Sequence, residues 1–430
     1  MGNNDKVGLI NSLVDEVRIP SICRVNQIFS DTAVADVAKT LHKILEPYAA
    51  KIREGDRIAI TCGSRGIDQY PLLIKTVVDF VARQGGTPIL VPAMGSHGGA
   101  TAEGQLEVLE KFGITEEAMG APILSSMEVV QIGVSTRGLP VFLDKHAVEA
   151  DGVIVLNRIK PHTSFRGTYE SGLVKMMAIG LANQRGADMT HALRFTHMAD
   201  NIVASGEVVL DRLNVICGVA SIENGYGKIA ELHALAPGAI LAEEPKLLEK
   251  AWGHMPVLCL DEIDALIVAE MGKEISGTGM DTNVIGRYHT GISGGGPRTI
   301  KLGLLDLSKG SAGNANGMGL ADFVTRKLYD KIDFPVTYMN AITSTEPNSV
   351  KLPMVLDDDE AVIKACLKLC GQLDSMDARL VIIKNTKDLG TAYMSRAAVK
   401  AISDTSKVSV DDQWTPVTFD EEGNMLLFAN

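Results

Sequence analysis

The chain has 430 residues, of which 46% are hydrophobic and 22% charged, as expected for a globular protein with more than one domain. A formal net charge of −12 gives no general attraction to a phosphate backbone, so nucleic acid is not expected as a partner. No apolar run approaches the roughly 18 residues that span a bilayer, and the first residues lack a signal-peptide core. We therefore expect a cytoplasmic protein without membrane contact.

The first half of the sequence alternates strand-like and helix-like segments. Apolar residues recur at helical spacing over 34–48, 72–80 and 101–112, and the segment 186–205 is mostly helical in pattern. Short β-rich runs over 57–61, 87–92 and 152–156 predict strands. The long connections between these runs favour crossovers and hence a mainly parallel sheet.

A change in pattern near Pro256 predicts a domain boundary, with an N-terminal domain over 1–258 and a C-terminal domain over 259–430. We predict an α/β fold with mainly parallel twisted sheets flanked by helices. In the second domain the sequence predicts strands over 265–269, 299–307 and 380–383, and helices over 320–329 and from 357 onward.

Of the six cysteines, Cys366 and Cys370 are four residues apart on one helical face. We interpret them as buried apolar side chains rather than a metal pair, and expect no disulfides.

Polar residues that can carry chemistry follow the predicted strands. His97 and His162 each come shortly after a strand-like run, and Arg65 follows Ser64 in the loop after an earlier strand. Ligands bind beyond the carboxyl ends of strands in open α/β sheets. Histidine is the usual acid/base near neutral pH, and an arginine fork grips a planar carboxylate. Together these placements predict an enzyme.

Lys175 lies in an otherwise apolar run, Leu173-Val-Lys-Met-Met-Ala-Ile-Gly-Leu. A buried ammonium is costly, so two interpretations stay open: the side chain reaches to solvent, or it is paired or deprotonated for chemistry. A desolvated lysine is a usable nucleophile for attaching a cofactor.

The sequence lacks four common motifs: a phosphate-binding P-loop, a full dinucleotide fingerprint, HExxH and GxSxG.

The order Ser64-Arg65, Gly95-Ser-His97, Pro161-His162, Lys175 and His191 resembles the lactate racemase (LarA-like) family. The resemblance implies a nickel-pincer nucleotide cofactor and an active site in the cleft between two domains. It implies racemisation or epimerisation at C2 of a 2-hydroxy acid by hydride transfer. The roles that the resemblance implies are carboxylate binding by Arg65 with Ser64, proton exchange by His97 and His162, tethering of the cofactor by Lys175, nickel ligation by His191, and cofactor contacts from Gly95, Ser96, Gly98 and Gly99.

The sequence departs from the family pattern at several positions. Cys62 stands where the family has an aspartate, and Leu173-Val174 replaces Gly-Arg before the lysine. In the second domain Gly279 and Thr282 fall where the family supplies a glutamine and a lysine. The substrate and the oligomeric state are therefore left open, and the cofactor-synthesis enzymes are expected partners. Two alternatives remain: a hydroxyacid oxidoreductase with another metal or a nicotinamide cofactor, and a non-catalytic protein that binds a nucleotide or sugar acid.

Overall fold

A computed structural model describes residues 12–191 and 195–428. The chain divides into two compact units. One contains residues 30–255, and the other combines the described residues up to 29 with those from 256 onward.

The strands in chain order are β1 (Ile22–Gln27), β2 (Arg57–Cys62), β3 (Thr87–Pro92), β4 (Val129–Val134), β5 (Pro140–Asp144), β6 (Gly152–Arg158), β7 (Val215–Glu223), β8 (Ile229–Leu235), β9 (Glu262–Val268), β10 (Arg298–Leu304), β11 (Phe323–Thr325), β12 (Met354–Leu356), β13 (Leu380–Ile383), β14 (Thr391–Ser395) and β15 (Val408–Val410). The α-helices are α1 (Val37–Leu45), α2 (Tyr70–Arg83), α3 (Ala102–Lys111), α4 (Glu116–Met119), α5 (Lys145–Val148), α6 (Leu173–Lys175), α7 (Asn183–His191), α8 (Met198–Arg212), α9 (Pro237–His254), α10 (Thr282–Ile285), α11 (Arg326–Asp330), α12 (Phe334–Thr343), α13 (Asp359–Leu369) and α14 (Arg396–Lys400). A π-helical turn over Met176–Gly180 continues α6.

The unit of residues 30–255 is built on a five-stranded sheet in the order β3-β2-β6-β7-β8. All neighbours in it are parallel except β7 and β8. Successive side chains of β2 point to opposite faces: Ile58 and Ile60 pack into one hydrophobic core, and Ala59 into another. Because helices cover both faces, these strands are continuous apolar runs rather than alternating ones.

The other unit contains an eight-stranded sheet in the order β12-β11-β10-β9-β13-β14-β1-β15. Strands β12, β11, β10, β9 and β13 are parallel, whereas β14, β1 and β15 continue the sheet in antiparallel pairs. Helix α13 packs on this sheet through residues such as Val362 and Cys366, which are fully buried.

These sheets confirm the predicted α/β class, and β13 has the predicted bounds. The helix predicted over 320–329 is wrong in its first half, where Phe323–Thr325 forms the buried strand β11 between β10 and β12. The segment predicted as helical over 186–205 contains the end of α7 and the start of α8, and residues 192–194 lie outside the description.

The division of the chain also differs from the predicted one at its N-terminal end. Strand β1 pairs with β14 and β15 and so belongs with the C-terminal residues rather than with the first domain. The pairing partners of β1 lie more than 360 residues away along the chain, so local sequence patterns carry no signal for this pairing.

All six cysteines are unpaired thiols, and five of them are buried. None of the helices described is long and apolar enough to cross a membrane.

Candidate active site

The candidate residues Arg65, His97 and His162 follow three adjacent parallel strands. Arg65 comes three residues after the end of β2, His97 five after β3, and His162 four after β6. In the sheet β2 lies between β3 and β6, so the carboxyl ends of the three strands share one edge. The strand order therefore brings together loops that are separated by up to about 100 residues in sequence.

Arg65 and His97 are in direct contact. The guanidinium Nη2 of Arg65 donates to Nε2 of His97 at 3.0 Å, and Nδ1 of His97 donates to the carbonyl of Met94 at 2.7 Å. A carbonyl only accepts and a guanidinium only donates, so the proton of the imidazole is on Nδ1 and the lone pair on Nε2. Burial and the nearby charge of Arg158 lower the pKa of Arg65 to about 10, which leaves it a cation at neutral pH.

His162 is held in the opposite neutral tautomer. The backbone N–H of Ser164 donates to its Nδ1 at 3.0 Å, so the lone pair is on Nδ1 and the neutral ring carries its proton on Nε2. Burial, with the nearby charge of Lys175, lowers the pKa of His162 well below its ordinary value. Its own backbone N–H donates to Glu170 at 2.6 Å. His162 is thus a neutral hydrogen-bond donor through Nε2.

Lys175 ends the short helix α6, directly before the π-helical turn. Its Nζ lies 5.8 Å from the ring centre of Phe165. Burial, followed by the charge of Arg65, lowers the pKa of Lys175 to about 7. The Lys175 side chain is partly exposed, so both interpretations that the sequence left open, reach to solvent and pairing or deprotonation for chemistry, stay open. A large share of its amine is neutral and nucleophilic at pH 7.

His191 is the last residue of α7. Its Nδ1 donates to the carbonyl of Ala187 at 2.6 Å, which places the lone pair on Nε2. Burial is the main cause that lowers its pKa, and the charge of Lys175 contributes. An imidazole whose Nδ1–H is fixed by a carbonyl is the usual arrangement of a metal-ligating histidine. Among the residues described, no group of three or more His, Cys, Asp or Glu side chains is placed to hold a metal.

Gly95 packs the His97 loop against the segments that carry Lys175 and His191. Its N–H donates to the carbonyl of Gly180 at 3.0 Å, at the end of the π-helical turn. Its φ is +59°, and a Cβ would lie 3.3 Å from the carbonyl oxygen of Ile179 and 3.5 Å from the methyl of Ala187. Ser64 and Ser96 are partly exposed beside this loop. No contact tests the predicted cofactor-binding role of the loop, which remains a prediction.

Gly98 and Gly99 allow a matched test of loop packing. Both have positive φ, but a Cβ on Gly98 would lie 2.6 Å from the backbone of Gly104, whereas one on Gly99 meets nothing within 4 Å. We expect Gly99→Ala to lower the free energy of unfolding by about 1 kcal/mol through its backbone conformation alone. Gly98→Ala adds a clash with the backbone of Gly104, and we expect it to lower the free energy of unfolding by about 3 kcal/mol or more. Urea unfolding measures both, and equal losses would contradict this packing.

The sequence did not single out three charged residues near the candidate site: Arg158, Lys160 and Glu170. Lys160, like the predicted Arg65, contributes positive charge near Lys175, and Glu170 opposes them. Arg158 forms a close ion pair with Glu223, which also accepts from the backbone of the Arg65 loop at Asp68. The strand-end argument used for His162 would have selected Arg158 and Lys160. Cations thus concentrate at one sheet edge of an acidic chain, as suits an anionic ligand.

The positions that depart from the family pattern have structural reasons. Gly279 has φ +72°, and a Cβ there would lie 2.2 Å from the methyl of Met271 and 2.4 Å from the carbonyl oxygen of Asn316. This backbone therefore admits no side chain at position 279. Thr282 is buried at the start of α10. Cys62 is fully buried, and burial raises the pKa of its thiol, so it does not replace a carboxylate in function.

Comparison with known proteins bears on the first half of the chain. Residues 17–202 match the family model of the lactate racemase N-terminal domain. Among solved structures, the chain is similar to the lactate racemase apoprotein from Thermoanaerobacterium thermosaccharolyticum, with 13% sequence identity and a TM-score of 0.43. That similarity covers 89% of this chain and 88% of the other. No protein of curated function matches the chain.

Proposed function

We propose that the protein is a racemase or epimerase that inverts C2 of a 2-hydroxy acid, a proposal supported by the match of residues 17–202 to the model of the lactate racemase N-terminal domain. The observation that carries the proposal is the contact of 3.0 Å between Arg65 and His97. Arg65 would bind the substrate carboxylate, and His97 would act as the base. The two side chains are close enough to reach the carboxylate and the adjacent hydroxyl group of one small molecule.

The binding step follows from this contact. A substrate carboxylate takes two parallel hydrogen bonds from the Arg65 guanidinium. This draws Arg65 away from His97 and releases the Nε2 lone pair, which then accepts the hydroxyl proton. The bond from Nδ1 to the carbonyl of Met94, at 2.7 Å, stabilises the imidazolium that results. Arg65 thus blocks the base until a carboxylate arrives.

His162 serves the same oxygen in a different way. Its Nε2–H is a donor, and the pKa of its ring is too low for a doubly protonated state at neutral pH. We assign it to polarising the oxygen on C2 as that atom becomes a carbonyl. A full proton transfer from His162 requires its Nδ1 to exchange the hydrogen bond from Ser164 for a proton.

The residues fit a nickel-pincer nucleotide, which when bound supplies an acceptor for the hydride that leaves C2. Lys175 offers a desolvated, partly neutral amine for the covalent attachment. His191 offers one Nε2 lone pair and would be the protein ligand to the nickel, with the other donors supplied by the cofactor. The cations around Lys175 suit the phosphate of a nucleotide.

The deciding experiment is expression of the chain together with cofactor-synthesis enzymes, followed by intact-mass measurement and nickel analysis. We expect an added mass and about one nickel per chain in the wild type, and neither in Lys175→Ala, because the nucleophile is lost. Lys111→Ala, at the exposed end of α3, is the matched control and keeps both. A wild-type protein without added mass would refute the tethered cofactor.

The reaction is tested separately on the loaded protein. A panel of enantiopure 2-hydroxy acids is incubated with it, and chirality is followed by polarimetry or chiral chromatography. Inversion of at least one acid is expected. Unchanged chirality across the panel, with the adduct present, would favour the non-catalytic binding role.

A further inference from the structure

Helix α9 touches both segments that carry candidate catalytic residues. Its Glu244 contacts the start of the helix that leads to Lys175, and its Leu241 and Trp252 contact the loop of residues 162–170. The helix itself contributes no group to the chemistry proposed above.

Glu244 binds the backbone immediately before Lys175. Its side chain is 1% exposed, and Oε2 accepts the N–H of Val174 at 3.0 Å. Burial raises the pKa of the Glu244 carboxyl to about 7. The N–H group of Val174 belongs to the first turn of α6, where helical partners are missing. The carboxylate therefore fixes the turn from a distance of 70 residues in the sequence.

Gly172 is shaped to receive this carboxylate. A Cβ at Gly172 would lie 2.2 Å from Oε1 of Glu244, so any side chain there would displace the carboxylate or the turn. The φ of Gly172 is 179°, an extended value open to every residue, so steric approach and not backbone freedom requires the glycine. Glycine at 172 and glutamate at 244 thus depend on each other.

The adjacent turn of α9 holds the His162 loop in a related way. Pro245 has no N–H, which leaves the carbonyl of Leu241 without its helical partner, and the hydroxyl of Tyr169 donates to it at 2.5 Å. Farther along, the guanidinium of Arg166 lies 4.9 Å from the ring centre of Trp252 and donates to the carbonyl of His162 at 2.6 Å. One helix therefore supports both halves of the candidate site.

We propose that Glu244 is a positioning residue that fixes Lys175 in its partly buried place through the N–H group of Val174. This inference rests on the proposed role of Lys175 as the reactive amine. Without the carboxylate, the first turn of α6 loses its cap, and the lysine is free to move toward water. Lys175 would then titrate as an ordinary lysine.

The test is trace acetylation of the full-length apoprotein with acetic anhydride between pH 6 and 11, with modified peptides quantified by mass spectrometry. The midpoint of the pH profile reports the pKa of the Lys175 amine, and the plateau reports its accessibility. Glu244→Gln keeps an acceptor oxygen of the same reach but no charge. Glu244→Asp keeps the charge but is one methylene too short. Glu249→Gln, exposed on the same helix, is the control.

In the wild type and Glu249→Gln we expect a midpoint near pH 7. Glu244→Gln is expected to keep this midpoint within about half a unit, and Glu244→Asp to raise it by at least about one unit, since each unit is a tenfold change in ionisation. An unchanged midpoint in a folded Glu244→Asp protein would overturn the proposal. A changed midpoint in Glu244→Gln with an unchanged one in Glu244→Asp would also overturn the proposal, because it would indicate an effect of the Glu244 charge. Because no cofactor is used, either result is independent of whether Lys175 carries the adduct.

Discussion

Replacing His97 by alanine is expected to lower kcat/KM for racemisation by about a thousandfold. The Nε2 lone pair of His97 is in direct contact with the proposed carboxylate anchor, and its tautomer is fixed by the carbonyl of Met94. The substrate hydroxyl would then lose its proton acceptor while the carboxylate is still bound by Arg65. Rates measured on the loaded enzyme, with nickel content and added mass unchanged, separate this effect from loss of cofactor.

Glutamine replacements distinguish the two histidines. A glutamine side chain donates a hydrogen bond but is no base. His162→Gln is therefore expected to retain at least about tenfold more activity than His162→Ala, since one hydrogen bond contributes that order of free energy. His97→Gln is expected to be as inactive as His97→Ala. If the two His162 variants are equally inactive, then His162 transfers a full proton and its assignment as a donor is wrong.

Local sequence pattern and sheet topology together select the candidate site residues. Arg65, His97 and His162 are recognisable because each follows a continuous apolar strand, and carboxyl ends of parallel strands meet at one edge. Lys175 is recognisable because an ammonium in an apolar run requires an explanation. These signals need only the neighbouring residues. The order of the strands brings Arg65, His97 and His162 to one edge of the sheet, and the sequence predicts that sheet only as a class.

Contacts between distant segments explain what the sequence missed. Glu244 looks like an ordinary acid on a surface helix, and only the folded chain places it on the N–H of Val174. Strand β1 looks like the first strand of an N-terminal domain, yet its partners lie near the C-terminal end. Phe323–Thr325 is three residues long, too short for periodicity to separate strand from helix. In each case the deciding interaction lies far away in the sequence.

Burial of the charged Lys175 side chain is expected to lower the free energy of unfolding. This is the second large effect that we predict. The pKa of Lys175 falls from 10.5 to about 7 on folding. Between these values the unfolded chain binds more protons, so the penalty is full below pH 7 and is relieved as the pH rises toward 10.5. A shift of this size corresponds to at most about 5 kcal/mol, and partial contact of the side chain with water reduces it to about 2 to 4 kcal/mol.

Lys175→Met, which keeps the length of the side chain without the charge, is therefore expected to stabilise the apoprotein. At pH 7 the gain should raise Tm by roughly 5 to 10 °C. It should shrink steadily as the pH approaches 10, because the wild-type amine is then neutral as well. Calorimetry at several pH values measures this, with Lys111→Met as the exposed control.

Equal stability of the wild type and Lys175→Met at pH 7 would show that the lysine is solvated in the folded protein, contrary to its surroundings here. A gain that persists unchanged at high pH would assign the stabilisation to packing instead of charge. The expected result, a gain confined to the lower pH range, has a functional consequence. Covalent attachment at Lys175 removes the ammonium, so cofactor loading would relieve the same penalty and stabilise the fold.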